Sequence, residues 1–269
     1  MIKKIIILTG SELRHEFFRK YMSTQTHVKV VNTFCESLKG NLASKVKEEE
    51  INSLRSQHLK DREKSEIDFF ESFCKETEDK SNPIFIERGE INLEKHVNKI
   101  ISLNPDFIIS YGCSIIRSDL LNVFRGRFIN IHLGLSPYYR GSGTNFWPFV
   151  EDKLSLIGTT FMHIDEGVDT GKIIHQIRAS IIQGDDIHSI GNRLIQDSAK
   201  ECLKLIKNFD SLKESKQTTN IVGRLFRNKD FTEDSIQEAY KDLERKIKNY
   251  LENKRLIDKE FPIINTGIY

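Results

Sequence analysis

Residues 127–143 read RFINIHLGLSPYYRGSG. Residues 127–132 have the apolar, β-rich character of a buried strand, and the Gly- and Ser-rich residues after them read as a loop. Upstream, residues 107–110 (FIIS) form a second buried strand leading into Tyr111-Gly112. Between 93 and 103, Leu93, Val97, Ile100 and Ile101 recur at helical spacing and stop before Pro105. Residues 83–86 and 28–31 read as further strands. Residues 4–9 are a β-branched first strand ending at Gly10, followed by a helix over 12–22. Downstream the pattern predicts a short helix over 144–150, strands over 157–164 and 172–181, and a long amphipathic helix over 186–209. Alternating strands and helices point to an α/β class fold with a doubly wound, mostly parallel sheet. Sites in such sheets lie beyond the carboxyl ends of the strands, where residues 111–116 and 130–143 fall.

The 269 residues carry 41 basic and 39 acidic side chains, a net charge of +2, and 38% are hydrophobic. That balance gives no general attraction to nucleic acid polymers or anionic membranes. Cys35, Cys74, Cys113 and Cys202 are far apart, form no CxxC pair, and are expected as free thiols in a cytoplasmic protein with no metal site. The opening apolar run ends at Leu8, too early for a signal peptide. No stretch approaches the roughly 18 apolar residues a membrane span needs.

Residues 1–210 are expected to form the main domain and 211–269 an extension. Residues 211–219 read as a polar linker. One helix follows, with Thr232 as N-cap, a Phe231–Ile236 staple, and Ile236, Tyr240, Leu243, Ile247 and Leu251 inward. Residues 42–80 are dense in charge and predict one or two solvent-facing helices. His58, Arg62 and Glu66 share one face there, expected as a solvated stripe, with a substrate cleft as the alternative.

Asn130 and His132 are two apart on a strand, so their side chains point the same way. Residues 163–171 (HIDEGVDTG) place Asp165, Glu166 and Asp169 in a loop, with Gly167 and Gly171 permitting tight turns. These residues alone are compatible with many chemistries.

The pattern NIHLGLSPYYRG, with Asp169 of DTG 37 positions (169 − 132) after His132, resembles the 10-formyltetrahydrofolate-dependent formyltransferase family. Members act on glycinamide ribonucleotide, methionyl-tRNA or amino sugars. The resemblance covers residues 105–182 and departs from the usual pattern at Leu133, Gly134, Ser136 and Tyr138. It implies a Rossmann-like formyltransferase core and 10-formyltetrahydrofolate as donor co-substrate, with no metal. It also implies catalytic Asn130, His132 and Asp169. The folate would lie against Gly112, Cys113, Ser114, Ile115 and Ile116 on one side, and Asp165, Gly167 and Val168 on the other. In acyl transfer to an amine, Asn130 and a protonated His132 can donate hydrogen bonds to the developing oxyanion, while Asp169 orients His132 and helps move the amine proton. Cys113 is expected to be a packed small residue.

The acceptor is narrowed by what differs. The turn after the first strand, TGSELR, lacks a Gly-rich phosphate cradle, against glycinamide ribonucleotide. Residues 220–269 show one helix of mixed charge rather than the basic β-barrel of the tRNA enzymes. The remaining expectation is a nucleotide-linked amino sugar held near Gly10, Tyr138, Tyr139, Arg140 and Gly141. Phe146 and Trp147 are expected to pack beneath the loop, and Arg224 and Arg227 are the tail's most suggestive polar residues. Glycinamide ribonucleotide or another small amine, or water as in the folate deformylases, is the alternative, and a non-enzymatic binding module is a further rival that would be expected to lose at least one of Asn130, His132 and Asp169. Those deformylases carry an added N-terminal domain, not expected here because the first strand begins at residue 4. The expected partners are the reduced folate and a small amine, and a homodimer is possible through the amphipathic tail.

Overall fold

The computed structural model describes residues 2–39, 43, 46, 52–217 and 223–267. Much of the expected helical stretch over 42–51, and the last two residues of the expected linker, lie outside them.

The strands β1 (Lys3–Thr9), β2 (Val28–Glu36), β3 (Pro83–Ile86), β4 (Phe107–Tyr111), β5 (Phe128–His132), β7 (Gly158–His163) and β8 (Ile173–Arg178) form one sheet in the order β3-β2-β1-β4-β5-β7-β8. The pairs from β3 through β5 are parallel, and β7 and β8 join antiparallel. The continuous apolar runs follow from burial on both faces. Ile5 and Ile7 of β1 pack with Phe17, Phe18, Phe70 and Cys202 on one face, and Ile6 and Leu8 with Val97, Ile100 and Phe124 on the other. The first face is covered by α1 (Leu13–Ser23), α2 (Leu54–Glu76) and α6 (Ile187–Asn208). The second is covered by α3 (Glu94–Leu103) and α4 (Ser118–Val123). Asp186 caps α6 by accepting from the backbone of His188 and Ser189 at 2.8 and 2.7 Å.

A second core is built from segments that follow β5 and β8. Leu135, α5 (Trp147–Val150) and the first turns of α6 pack there with the tail residues Phe226, Ile236, Ile247 and Tyr250. Residues 139–141 form a short strand β6 (Tyr139–Gly141) parallel to β9 (Arg224–Phe226).

Four expectations change. The expected linker docks on the sheet: Ser215 exchanges both backbone hydrogen bonds with Ile173 at 2.8 Å. The expected last helix is two, α7 (Glu233–Tyr240) and α8 (Leu243–Glu260), because Asp242 takes a left-handed conformation at φ 51° between them. β2 runs on to Glu36, since its second half pairs with β3. The helical stripe is interior: His58 and Glu66 are buried, with partners supplied by distant segments. Ser53 caps α2, and the tail adds a second cap, as Glu233 accepts from the backbone of Leu54 and Arg55 at 3.1 and 3.2 Å. No described helix is long and apolar enough to cross a membrane.

Candidate active site

The carboxyl ends of β4 and β5 open onto a cavity of about 400 Å³. The strand register sets Ser110 beside Asn130, and the Ser110 hydroxyl donates to Asn130 Oδ1 at 2.9 Å. This fixes which way the amide faces. Its NH2 group has no partner among the described residues and is free to serve the cavity that Asn130 lines. Ser110 carries no signal of its own in the sequence, because a serine inside an apolar run acquires meaning only through its neighbouring strand.

All eight residues expected at the folate line this cavity: Gly112, Cys113, Ser114, Ile115, Ile116, Asp165, Gly167 and Val168. Glu36, unforeseen, holds the 112–116 loop from the end of β2. Its carboxylate accepts from the Ser114 backbone and hydroxyl, both at 2.6 Å, and from Gly89 N at 2.9 Å. Burial pushes the Cys113 thiol up to about 12, so it is not a nucleophile near neutral pH. Asp165 shapes the opposite loop by accepting from Gly167 N at 3.1 Å and Thr170 Oγ1 at 2.6 Å.

Asp169 lies on the cavity wall, at φ 53°. One carboxylate oxygen is 3.4 Å from His132 Nδ1, and the other accepts from Gly141 N at 2.8 Å. Gly141 has φ 90°, and a Cβ there would strike the Phe226 carbonyl, so the position requires glycine. His132 sits behind this pair, only 7% exposed, with Nε2 3.0 Å from the Tyr139 carbonyl. The structure thus joins the three expected catalytic residues, with Asn130 and Asp169 on the wall and His132 supporting from behind. Gln217 grips the loop from outside, donating to the carbonyls of Asp169 and Gly171, both at 2.9 Å. No group of three or more potential metal ligands occurs among the described residues.

A second cavity, of about 330 Å³, adjoins the first, the two sharing Arg88, Gly112 and Ser142. Its walls combine charge and rings. Arg14 pairs with Glu66 at 2.6 Å and with Glu12, and Arg62 reaches Glu12 at 3.1 Å. Burial alone would lower the Arg14 pKa, but these two carboxylates outweigh it and hold it above the usual range. Arg88 and Arg227 also line this cavity and make no ion pair among the described residues. Phe146, Trp147 and Phe231 supply ring surface, with Trp147 stacked on Phe226 at 4.3 Å. His58 lines it too, with Nδ1 2.9 Å from the Tyr240 hydroxyl, which lies 3.1 Å from His188 Nε2.

Of the residues expected at the acceptor, only Gly141 lines either cavity. Tyr139 is buried against Phe226 and donates to Glu151 at 2.9 Å. Tyr138 packs on Phe261, and Arg140 donates to the Gly223 carbonyl at 3.2 Å. Gly10 is buried where a Cβ would meet His15. The segment 138–140 turns toward the tail because β6 pairs with β9, which removes it from the cleft. Arg227 and the stripe carry the polar wall instead.

Residues 3–206 match the family described as formyl transferase. The chain belongs to that family. Curated relatives of this formyl transferase chain include methionyl-tRNA formyltransferases from Thermodesulfovibrio yellowstonii, 34% identical over 103 residues, and Caldicellulosiruptor saccharolyticus, 31% over 126 residues. The matches cover 38% and 46% of this chain, and 33% and 40% of the relatives' own length. Among solved structures, a formyltransferase PseJ from Anoxybacillus kamchatkensis, in complex with UDP-4,6-dideoxy-4-formamido-L-AltNAc and tetrahydrofolate, is similar with a TM-score of 0.50 and 24% identity, covering 88% of this chain and 89% of that one. A sugar N-formyltransferase from a Shewanella species is similar with a TM-score of 0.57 and 17% identity, covering 89% and 88%. These likenesses establish the shared formyl transferase fold.

Proposed function

We propose that this chain moves a formyl group from 10-formyltetrahydrofolate to the amino group of a nucleotide-linked amino sugar. The observation that carries the reading is the meeting of two unlike cavities at Gly112 and Ser142. The first offers backbone groups, Asn130 and Asp169, and suits the folate and the transferring formyl. The second offers ring faces and two arginines with no ion-pair partner among the described residues, and suits a base and an anionic linker.

In this scheme the neutral amine attacks the formyl carbon, and the charge that develops on oxygen is met by the free Asn130 NH2. Asp169 takes up the amine proton, directly or through water, with His132 balancing its charge from behind. The bond from the formyl carbon to the folate nitrogen breaks, and that nitrogen is protonated to give tetrahydrofolate. No nucleophilic side chain is required.

Methionyl-tRNA is the second reading, favoured by the curated relatives named above. Tetrahydrofolate production should be followed with nucleotide-linked amino sugars, glycinamide ribonucleotide, methionyl-tRNA and no added amine. Turnover with a sugar nucleotide is expected. Turnover with methionyl-tRNA alone would replace the acceptor, and formate release without any amine would make the chain a hydrolase.

A further inference from the structure

The loop that carries Asp169 is fastened from a segment that lies outside the residues matched to the family. Three consecutive kinds of contact run along it. Glu214 is 2.8 Å from His163 Nε2 and 2.8 Å from Lys172 Nζ, at the two feet of the loop. Ser215 pairs with Ile173 through both backbone groups. Gln217 then spends both N–H groups of its amide on the carbonyls of Asp169 and Gly171. The Asp169 backbone is left-handed, a conformation that is strained for a non-glycine residue and persists where its surroundings impose it.

We infer that Gln217 is a positioning residue, which holds the Asp169 carboxylate in its bridge between His132 and Gly141. Gln217 itself lines neither cavity, so it acts only through the loop. A glutamine suits the task because one amide nitrogen can satisfy two carbonyl acceptors two residues apart, which an aliphatic side chain of equal size cannot. The same contact ties the chain leading to the tail, with its acceptor-facing Arg227, to the loop bearing the proton acceptor.

The kinetic arm of the test rests on the formyl-transfer reading, and the structural arm does not. Gln217→Met keeps the volume and removes both donors. Hydrogen exchange at the Gly141 amide, which Asp169 accepts, is expected to quicken about tenfold, while the buried Ile131 amide keeps its protection. Gln217→Glu, which sets a carboxylate against two carbonyls, is expected to do more. In turnover, Gln217→Met is expected to lower kcat about tenfold with the acceptor KM unchanged, and to add nothing in an Asp169→Asn background. Unchanged Gly141 exchange in both variants overturns the inference, whatever the reaction proves to be. An equal kcat loss with and without Asp169 also overturns it, by making Gln217 a general structural residue. Absence of turnover in the unmodified protein speaks against the reaction assigned above and leaves the exchange result decisive for Gln217.

Discussion

Nε2 of His132 lies 3.0 Å from the carbonyl oxygen of Tyr139, and a carbonyl can only accept. The Nε2 proton is thereby committed to the backbone. Proton traffic is left to Nδ1, which faces Asp169 at 3.4 Å. His132 and Asp169 therefore form one unit, joined through Nδ1 and anchored through Nε2.

Residues that act as a unit fail as a unit. His132→Ala and Asp169→Asn are each expected to lower kcat about 10²–10⁴-fold, and the double variant to lose little beyond the worse single one. Steady-state kinetics on the three proteins checks this. Losses that multiply would separate the two residues into independent roles.

In the proposed reaction Asn130 acts on a different charge. Asn130→Ala is expected to cost about 10²–10³ in kcat, because an oxyanion donor is used most strongly in the transition state. Ser110→Ala, which only releases the orientation of that amide, is expected to cost about tenfold or less. A Ser110 variant as damaged as the Asn130 variant would mean that the serine contacts substrate itself.

Arg227 lines the second cavity and not the first. Arg227→Ala is expected to raise the acceptor KM about tenfold or more, since a hydrogen bond to a charged group contributes about 1.5–3 kcal/mol, while the folate KM stays put. Arg88→Ala, on the shared wall, is expected to raise both. An unchanged acceptor KM for Arg227→Ala would refute an anionic acceptor group at this place.

The fold was legible where composition alone decides. β1 carries the continuous apolar run Ile5–Leu8, and its burial on both faces leaves no other reading. The pairing of Asn130 with His132 on one side of a strand was legible for the same reason, through the period of two. What stayed hidden depends on partners far away in the chain. Glu36 acquires its role from Ser114, Asn130 its orientation from Ser110, and the stripe of His58, Arg62 and Glu66 its burial from residues near positions 12, 188 and 240. A charged face reads as solvated until the opposite charges are brought to it. Tyr138–Arg140 show the converse. Their chemistry suits a ligand, but the β6–β9 pairing directs them to the second core.

Buried histidines set a pH limit on stability. Burial pushes His58 down to about 3, with His188 and Arg62 adding to the effect, and pushes His188 down to about 4. An unfolded chain takes up these protons near the ordinary value of about 6.5. Between that value and the native ones the unfolded state binds more protons, so stability is full above pH 6.5 and falls as the pH drops. Each group contributes about 1.4 kcal/mol per pH unit inside the window. Denaturant midpoints are expected to fall between pH 7 and pH 5, a range above ordinary carboxylate titration, and His58→Gln to flatten the slope. Equal midpoints at the two pH values would show that both rings are protonated in the native chain.

The cap that Glu233 places on the start of α2 joins the helix bearing His58 and Arg62 to the tail segment bearing Arg227 and Phe231. Both segments line the second cavity, whereas Asn130 and Asp169 line only the first. Under the proposed function, part of the choice of acceptor is therefore written in stretches of sequence separate from those that carry the chemistry of transfer. On that reading a lineage can exchange one acceptor for another by revising residues 223–240 and their counterparts on α2, and keep the reaction itself as an unaltered inheritance.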